Sequence, residues 1–202
     1  MFPMQSRPAP AWLEYLLEAD RWLLLKVNRD WHHPLLDGTA LVLREAVTHA
    51  PLYLFLILFM AMNHGRAGLR WVLAAFALAG VSDLLSSHVI KELFDRPRPC
   101  RDPQTAHDIR FIARYCGMNG SFISSHASNH FALAAFTWLR LAGTGRPWWL
   151  MLAWAGAIAY AQVYVGVHYP SDILCGALFG AVLGWLAHRI TRTATDPSKT
   201  AS

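Results

Sequence analysis

Charge is what this sequence has least of. Only 15% of its 202 residues are Asp, Glu, Lys or Arg, while 54% are hydrophobic; a soluble domain carries about a quarter charged residues. That scarcity excludes an ordinary water-facing surface. There is no basic run and no basic helical stripe with interleaved aromatics, so the net charge of +5 is not the footprint of a nucleic-acid binder, and no nucleic-acid partner is expected. Internal repeats and helices broken at mid-membrane are missing too, which argues against a transporter. The stretch Met1–Pro10 lacks a basic region followed by an apolar core, so no cleavable leader is expected. The length suits one compact domain. It is expected over residues 1–192, with the small, polar stretch 193–202 as a disordered tail.

What the sequence has in abundance is apolar length. Four segments, about Leu69–Phe94, Ala127–Ala142, Trp148–Val167 and Ile173–Ile190, are long enough to cross a hydrocarbon layer of roughly 30 Å. A fifth, about Thr39–Met62, carries Arg44, Glu45 and His49 near its start. It reads as one helix with its first turns at the interface and a kink at Pro51. Trp12–Trp31 is too charged to span. On a helical wheel Leu13, Leu16, Leu17, Leu23, Leu24, Val27 and Trp31 share one side, with Asp20 as an acidic exception among them. Such a helix lies in the membrane plane. The nine Trp of the chain suit membrane–water interfaces. The expected fold is therefore all-α: a polytopic bundle of five transmembrane helices plus an N-terminal interfacial amphipathic helix.

Five spans place Asn63–Arg70, Gly143–Pro147 and the C-terminal tail on one side, with Arg66, Arg70, Arg146, Arg189, Arg192 and Lys199 against the single acid Asp196. The positive-inside rule makes that side cytoplasmic and the long Asp95–Phe122 loop extracytoplasmic. An oxidising compartment there permits a disulfide between Cys100 and Cys116. Cys175, inside the last span, reads as a small packing residue.

The outer ends of the spans gather the chemistry. One span ends in Lys91-Glu-Leu-Phe-Asp-Arg-Pro-Arg98-Pro99, the next begins Ser124-Ser125-His126, and the fourth ends in Val165-Gly-Val-His168-Tyr-Pro170-Ser-Asp172. Lys91 and Arg98 offer fixed positive charge to phosphate oxygens. Ser124 and Ser125 stand at a helix start, where hydroxyls and free backbone N–H groups hold anions. Asp172, four residues past His168, is placed to take one imidazole N–H and leave the other nitrogen free to attack. Two histidines in a cationic cradle, one oriented by a carboxylate, make a phosphoryl-transfer site.

These residues resemble the signature motifs of the type 2 phosphatidic acid phosphatase family, membrane lipid phosphatases related to vanadium haloperoxidases. Lys91, Arg98 and Pro99 match the first motif, Ser124 and His126 part of the second, and His168 and Asp172 the third. The resemblance implies a bacterial-type inner-membrane hydrolase acting on a lipid phosphate such as undecaprenyl pyrophosphate, phosphatidylglycerophosphate, phosphatidic acid or lipid A. His168 is then the nucleophile that becomes phosphohistidine, His126 the acid and base, and Lys91, Arg98, Ser124, Ser125 and Gln162 the phosphate ligands, with no metal or cofactor. One departure stands out. Ala161 and Gln162 occupy positions where the family has Ser-Arg, so the cradle is one cation short. That opens the alternative of a catalytically impaired phospholipid-binding membrane protein, unless Arg101, Arg110 or Arg114 of the outer loop replaces the charge. His130, one turn past His126, and Asp83 read as cavity-lining and buried hydrogen-bonding groups respectively. His32, His33 and His49 read as interfacial, and oligomeric state stays open.

Overall fold

A computed structural model of the protein describes residues 10–193. Among them every regular element is helical. Helix α1, Ala11–Leu25, runs on through a π-helical turn, Lys26–Asp30. It buries Leu24, Val27 and Asn28, and Asp20 lies on the same buried face, while Trp12, Tyr15 and Trp22 stay exposed. Asn28 pins this helix from the side. Its amide donates to the carbonyls of Arg110 and Tyr164 and its oxygen accepts from the Arg110 N–H.

Helix α2, Pro34–Leu43, starts with Pro in its first turn and the His33 ring accepting from the Leu35 N–H. It stops at Arg44, because Glu45 is extended; a short 3₁₀ turn, Ala46–His49, then leads into α3, Ala50–Leu84. The expected single helix over Thr39–Met62 is thus two helices. Pro51 makes no kink, since in a first turn its missing N–H leaves no hydrogen bond unmade. The break falls instead at Gly65 (φ 51°, ψ −131°), a backbone conformation that L side chains rarely adopt. Gly68 then packs so closely on the Met60 carbonyl that no Cβ would fit. The two arms of α3 run back to back.

Past Gly65 the chain stacks Trp71 on Phe136 (5.5 Å between centroids, 2° between planes). It continues through a π-helical stretch, Leu85–Ile90, into α4, Lys91–Phe94, and stops at left-handed Asp95. Helices α5, Ser125–Leu141, α6, Leu150–Tyr164, and α7, Pro170–Thr193, complete the bundle. Thr193, the first residue of the expected tail, ends α7; the rest of that tail lies outside the described residues.

Helix α7 meets α5 along Gly176, Gly180 and Gly184, one turn apart. A Cβ at each would run into the carbonyl of Ser124, Ser128 or Ala132. In hydrocarbon, where burying apolar surface gains little between helices, such close backbone packing is what holds them together. Two helical stretches among the described residues are long and apolar enough to cross a membrane, Ala46–Phe94 and Pro170–Arg192. The outward faces of the helices carry Leu54, Phe55, Leu58, Leu73, Phe76, Leu178 and Val182, a surface made for lipid. Trp148 and Arg146 pack on Phe59 near the Gly65 turn, so that turn and the α5–α6 connection share one end of the bundle. The 95–124 loop and the α6–α7 turn share the other.

Candidate active site

Helix α6 gives way to a short turn in which Gly166 takes a left-handed φ of 81° and lies against Ile109, before Pro170 opens α7. This turn carries His168 inward, where it is 1% exposed. Its Nδ1 lies 3.4 Å from Asp172 Oδ2 and 3.3 Å from Ser121 Oγ, and its Nε2 lies 3.3 Å from Arg98 Nη1. Asp172 is fully buried. Its carboxylate accepts from Ser121 Oγ, the Tyr169 N–H (2.9 Å) and Arg96 Nη1 (2.8 Å). Held by these donors, it fixes the imidazole with Nδ1–H toward the carboxylate and a lone pair on Nε2. Burial pushes the His168 imidazole down to about 4; the Asp172 hydrogen bond works against that and the Arg98 charge adds to it. A neutral imidazole at physiological pH is the nucleophilic form.

Arg96 connects this pair to the first helix. It donates to Asp172, to Asp20 (2.7 Å) and to Ser171 Oγ (2.7 Å), and its guanidinium lies 3.9 Å from the centre of the Tyr169 ring. Burial opposes its charge, yet Asp172 and Asp20 hold its pKa above the ordinary arginine value. Asp20 also accepts from the Ser171 N–H and hydroxyl. Sequence reasoning missed Ser121, Arg96 and Asp20. The available signal was Asp20 itself, the acid on an otherwise apolar helix face.

A cavity of about 550 Å³ opens at His168. Its polar end is lined by Lys91, Arg98, Ser125, His126, Gln162 and His168, and Asp172 stands behind His168. Ser124 is not among these. Its hydroxyl accepts from the Ala127 N–H as the α5 N-cap, and its N–H donates to the Asp172 carbonyl. Ser124 therefore shapes the helix start and leaves Ser125 to face the cavity, where Ser125 bonds Ser87 (2.8 Å). Asp83 also lines the cavity and accepts from Asn129; it is exposed there, where a buried role was expected.

His130 is satisfied on both ring nitrogens, by the His126 carbonyl and by Tyr53 Oη. Among the described residues no three His, Cys, Asp or Glu side chains group as metal ligands would. His32 and His33 are exposed, but His49 is not interfacial. It is buried edge-on against Trp154, with Nε2 on the Leu43 carbonyl. Cys100 and Cys116 are joined as a disulfide and Cys175 is free. The bridge holds Gly117 against the Arg98 guanidinium, and Arg98 Nε donates to the Asn119 carbonyl.

The three outer-loop arginines do not replace the missing cation. Arg110 pairs with Asp37 (2.8 Å), Arg101 donates to the carbonyls of Gly117 and Met118, and Arg114 is exposed. None of them lines the cavity.

Residues 68–196 match the family model of the PAP2 superfamily. The chain is 30% identical over 190 residues to a lipid A 4'-phosphatase of Bacteroides thetaiotaomicron, covering 89% of this chain and 81% of that one. It is 28% identical over 179 residues to a lipid A 4'-phosphatase of Porphyromonas gingivalis, covering 88% and 75%. Among solved structures, a transmembrane PAP2-type phosphatidylglycerolphosphate phosphatase from Bacillus subtilis superposes with a TM-score of 0.65 at 21% identity over 89% of this chain and 87% of that one, a likeness of fold. Fold, family model and relatives agree: this chain belongs to the PAP2 superfamily.

Proposed function

We propose that the protein is a lipid phosphatase working through a phosphohistidine on His168. The observation that carries this reading is the His168 environment: Asp172 and Ser121 on Nδ1, and Nε2 beside Arg98 at the wall of a cavity shared with Lys91 and His126. Nε2 attacks phosphorus in line while His126, protonated once the anionic phosphate is bound, gives its proton to the departing lipid oxygen. The P–O bond breaks as the N–P bond forms. Water then attacks the phosphohistidine, His126 takes its proton, and phosphate leaves with His168 restored. Lys91 and Arg98 offset the charge on the equatorial oxygens. Gln162 adds a neutral donor, and no step calls for a metal.

Beyond its polar end the cavity is lined by Leu56, Ile57, Trp71 and Val72, walls suited to a lipid chain. The break at Gly65 divides Ala46–Phe94 into two membrane-length halves, which with α5, α6 and α7 makes five crossings and leaves α1 in the membrane plane. Arg66, Arg70 and Arg146 then mark the cytoplasmic end, and the site opens on the extracytoplasmic face. Residues 10–192 then form one domain. Both relatives named above are lipid A 4'-phosphatases, which supports a lipid A type substrate ahead of undecaprenyl pyrophosphate, phosphatidylglycerophosphate and phosphatidic acid.

Phosphate release from these four lipids by purified protein in chelator tests the reading. Wild type is expected to turn over at least one of them in chelator, and His168→Ala none. Near-normal turnover by His168→Ala would refute the nucleophile, and strict metal dependence would refute the histidine mechanism. No release from any lipid would leave the phospholipid-binding alternative.

A further inference from the structure

The cradle's missing charge has a source that no signature motif contains. Arg44 closes α2, and the extended Glu45 after it turns the chain away. The Arg44 side chain goes inward, is 7% exposed, and lines the same cavity as Lys91, Arg98 and His168. Its Nε and Nη1 have no hydrogen-bond partner. Among the described residues no carboxylate lies within ion-pair distance of it. Its guanidinium rests 5.3 Å from the centre of the Tyr115 ring, beside the disulfide, and its charge reaches Arg98. Arginine does not shed its proton in a protein, so this is a buried cation without a counter-charge. Burial on such terms is strongly unfavourable unless an anion arrives.

A second orphan sits in the same cavity. Gln162, 1% exposed, has an Nε2 with no partner, and it stands where the family pattern puts arginine. A phosphoryl group brings several acceptor oxygens to donors of this kind, and a guanidinium fork fits them best. We propose that Arg44, reaching in from the α2–α3 junction, is the phosphate-binding cation that takes over the charge of the absent motif arginine, while Gln162 supplies only a neutral hydrogen bond. The site needs positive charge at one place in space, and which helix delivers it is immaterial to the phosphate. This proposal rests on the lipid phosphatase reading for its substrate but not for its anion.

The test uses the full chain in detergent or nanodiscs. Arg44→Gln is expected to lower kcat/KM by about 100-fold or more, the usual consequence of deleting a transition-state donor. Its ligand-free unfolding temperature should hold or rise, because an unpaired buried charge is gone. Arg44→Lys should fall between the two, and adding Gln162→Arg to Arg44→Gln should regain about tenfold or more by restoring one charge-assisted contact. Inorganic phosphate should raise the unfolding temperature of wild type, and Arg44→Gln should need about tenfold more phosphate for the same rise.

The proposal is overturned if Arg44→Gln stays within about threefold of wild type in kcat/KM and keeps its phosphate response. It is equally overturned if the variant unfolds earlier and Gln162→Arg rescues nothing, which would make Arg44 a structural partner of Tyr115. If wild type releases phosphate from no lipid, the phosphatase reading fails, and the phosphate-stabilisation comparison still decides the fate of Arg44.

Discussion

Helix α7 meets its neighbours in two different ways within a few turns. At its first turn Ser171 and Asp172 engage Arg96, Asp20 and Ser121 through charged hydrogen bonds. Deeper in the bundle Gly176, Gly180 and Gly184 meet α5 with nothing but backbone. The outer region is specified by direction: each oxygen needs a particular donor, and losing one leaves a buried charge unmet. The inner region is specified by shape, and what it cannot tolerate is added volume. The chemistry depends on the first region and the assembly of the bundle on the second.

Separate perturbations of the two regions should therefore have separable consequences. The largest effect is expected from Asp172→Asn, which keeps the side-chain shape but favours the wrong His168 tautomer. Loss of such an orienting carboxylate costs on the order of 10³–10⁴ in kcat, while stability changes by only about 1–3 kcal/mol. Phosphate-release kinetics beside denaturant unfolding of the same sample measure both. Gly180→Leu should do the reverse. Overpacking strain of about 1–3 kcal/mol lowers the unfolding midpoint, and kcat per folded molecule stays near wild type. Should kcat per folded molecule fall as far as in Asp172→Asn, the division between the regions is wrong.

The smallest effect is an absence of change. Burial holds the His168 pKa near 4, below its unfolded value, so the imidazole stays neutral as pH falls and protonates only near the lower value. Because the unfolded chain binds that proton first, this group makes stability fall as pH drops below the unfolded pKa of about 6.5. Nitrogen chemical shifts of His168 in ligand-free protein should therefore be flat from about pH 8 to about pH 5. A midpoint near 6.5 would mean that the outer region is wetter than its hydrogen bonds require.

The same contrast explains what could be read from the chain before its structure. Lys91, Arg98, His126, His168 and Asp172 were legible because each lies at or within a few residues of a helix end, in a local spacing that already implies chemistry. Apolar length gave most of the helices, the one expected over Thr39–Met62 coming out as two. What stayed hidden depends on partners distant in sequence. Arg96 reads as one more basic residue beside Pro97 until Asp20, 76 positions away, is seen against it. Ser121 acquires meaning only from Asp172, 51 positions on. Arg44 looked like an interfacial charge because nothing local says that α2 ends there and aims it inward. His49 was misplaced for the same reason, since its seat against Trp154 is a tertiary contact. Gly65, by contrast, was legible, since it falls in the polar Asn63–Arg70 connection that separates two apolar spans.

Asp20 leaves the first helix with an unexpected standing. By its composition helix α1 is expected to lie along the membrane surface, yet one of its carboxylates braces the guanidinium that braces the carboxylate beside His168, the proposed nucleophile. The proposed reaction centre thus has a mechanical footing in the first helix, 76 positions away from Arg96 in the chain. Trimming that helix would remove the Asp20 carboxylate from behind Arg96 and leave the Asp172 side of His168 with one support fewer.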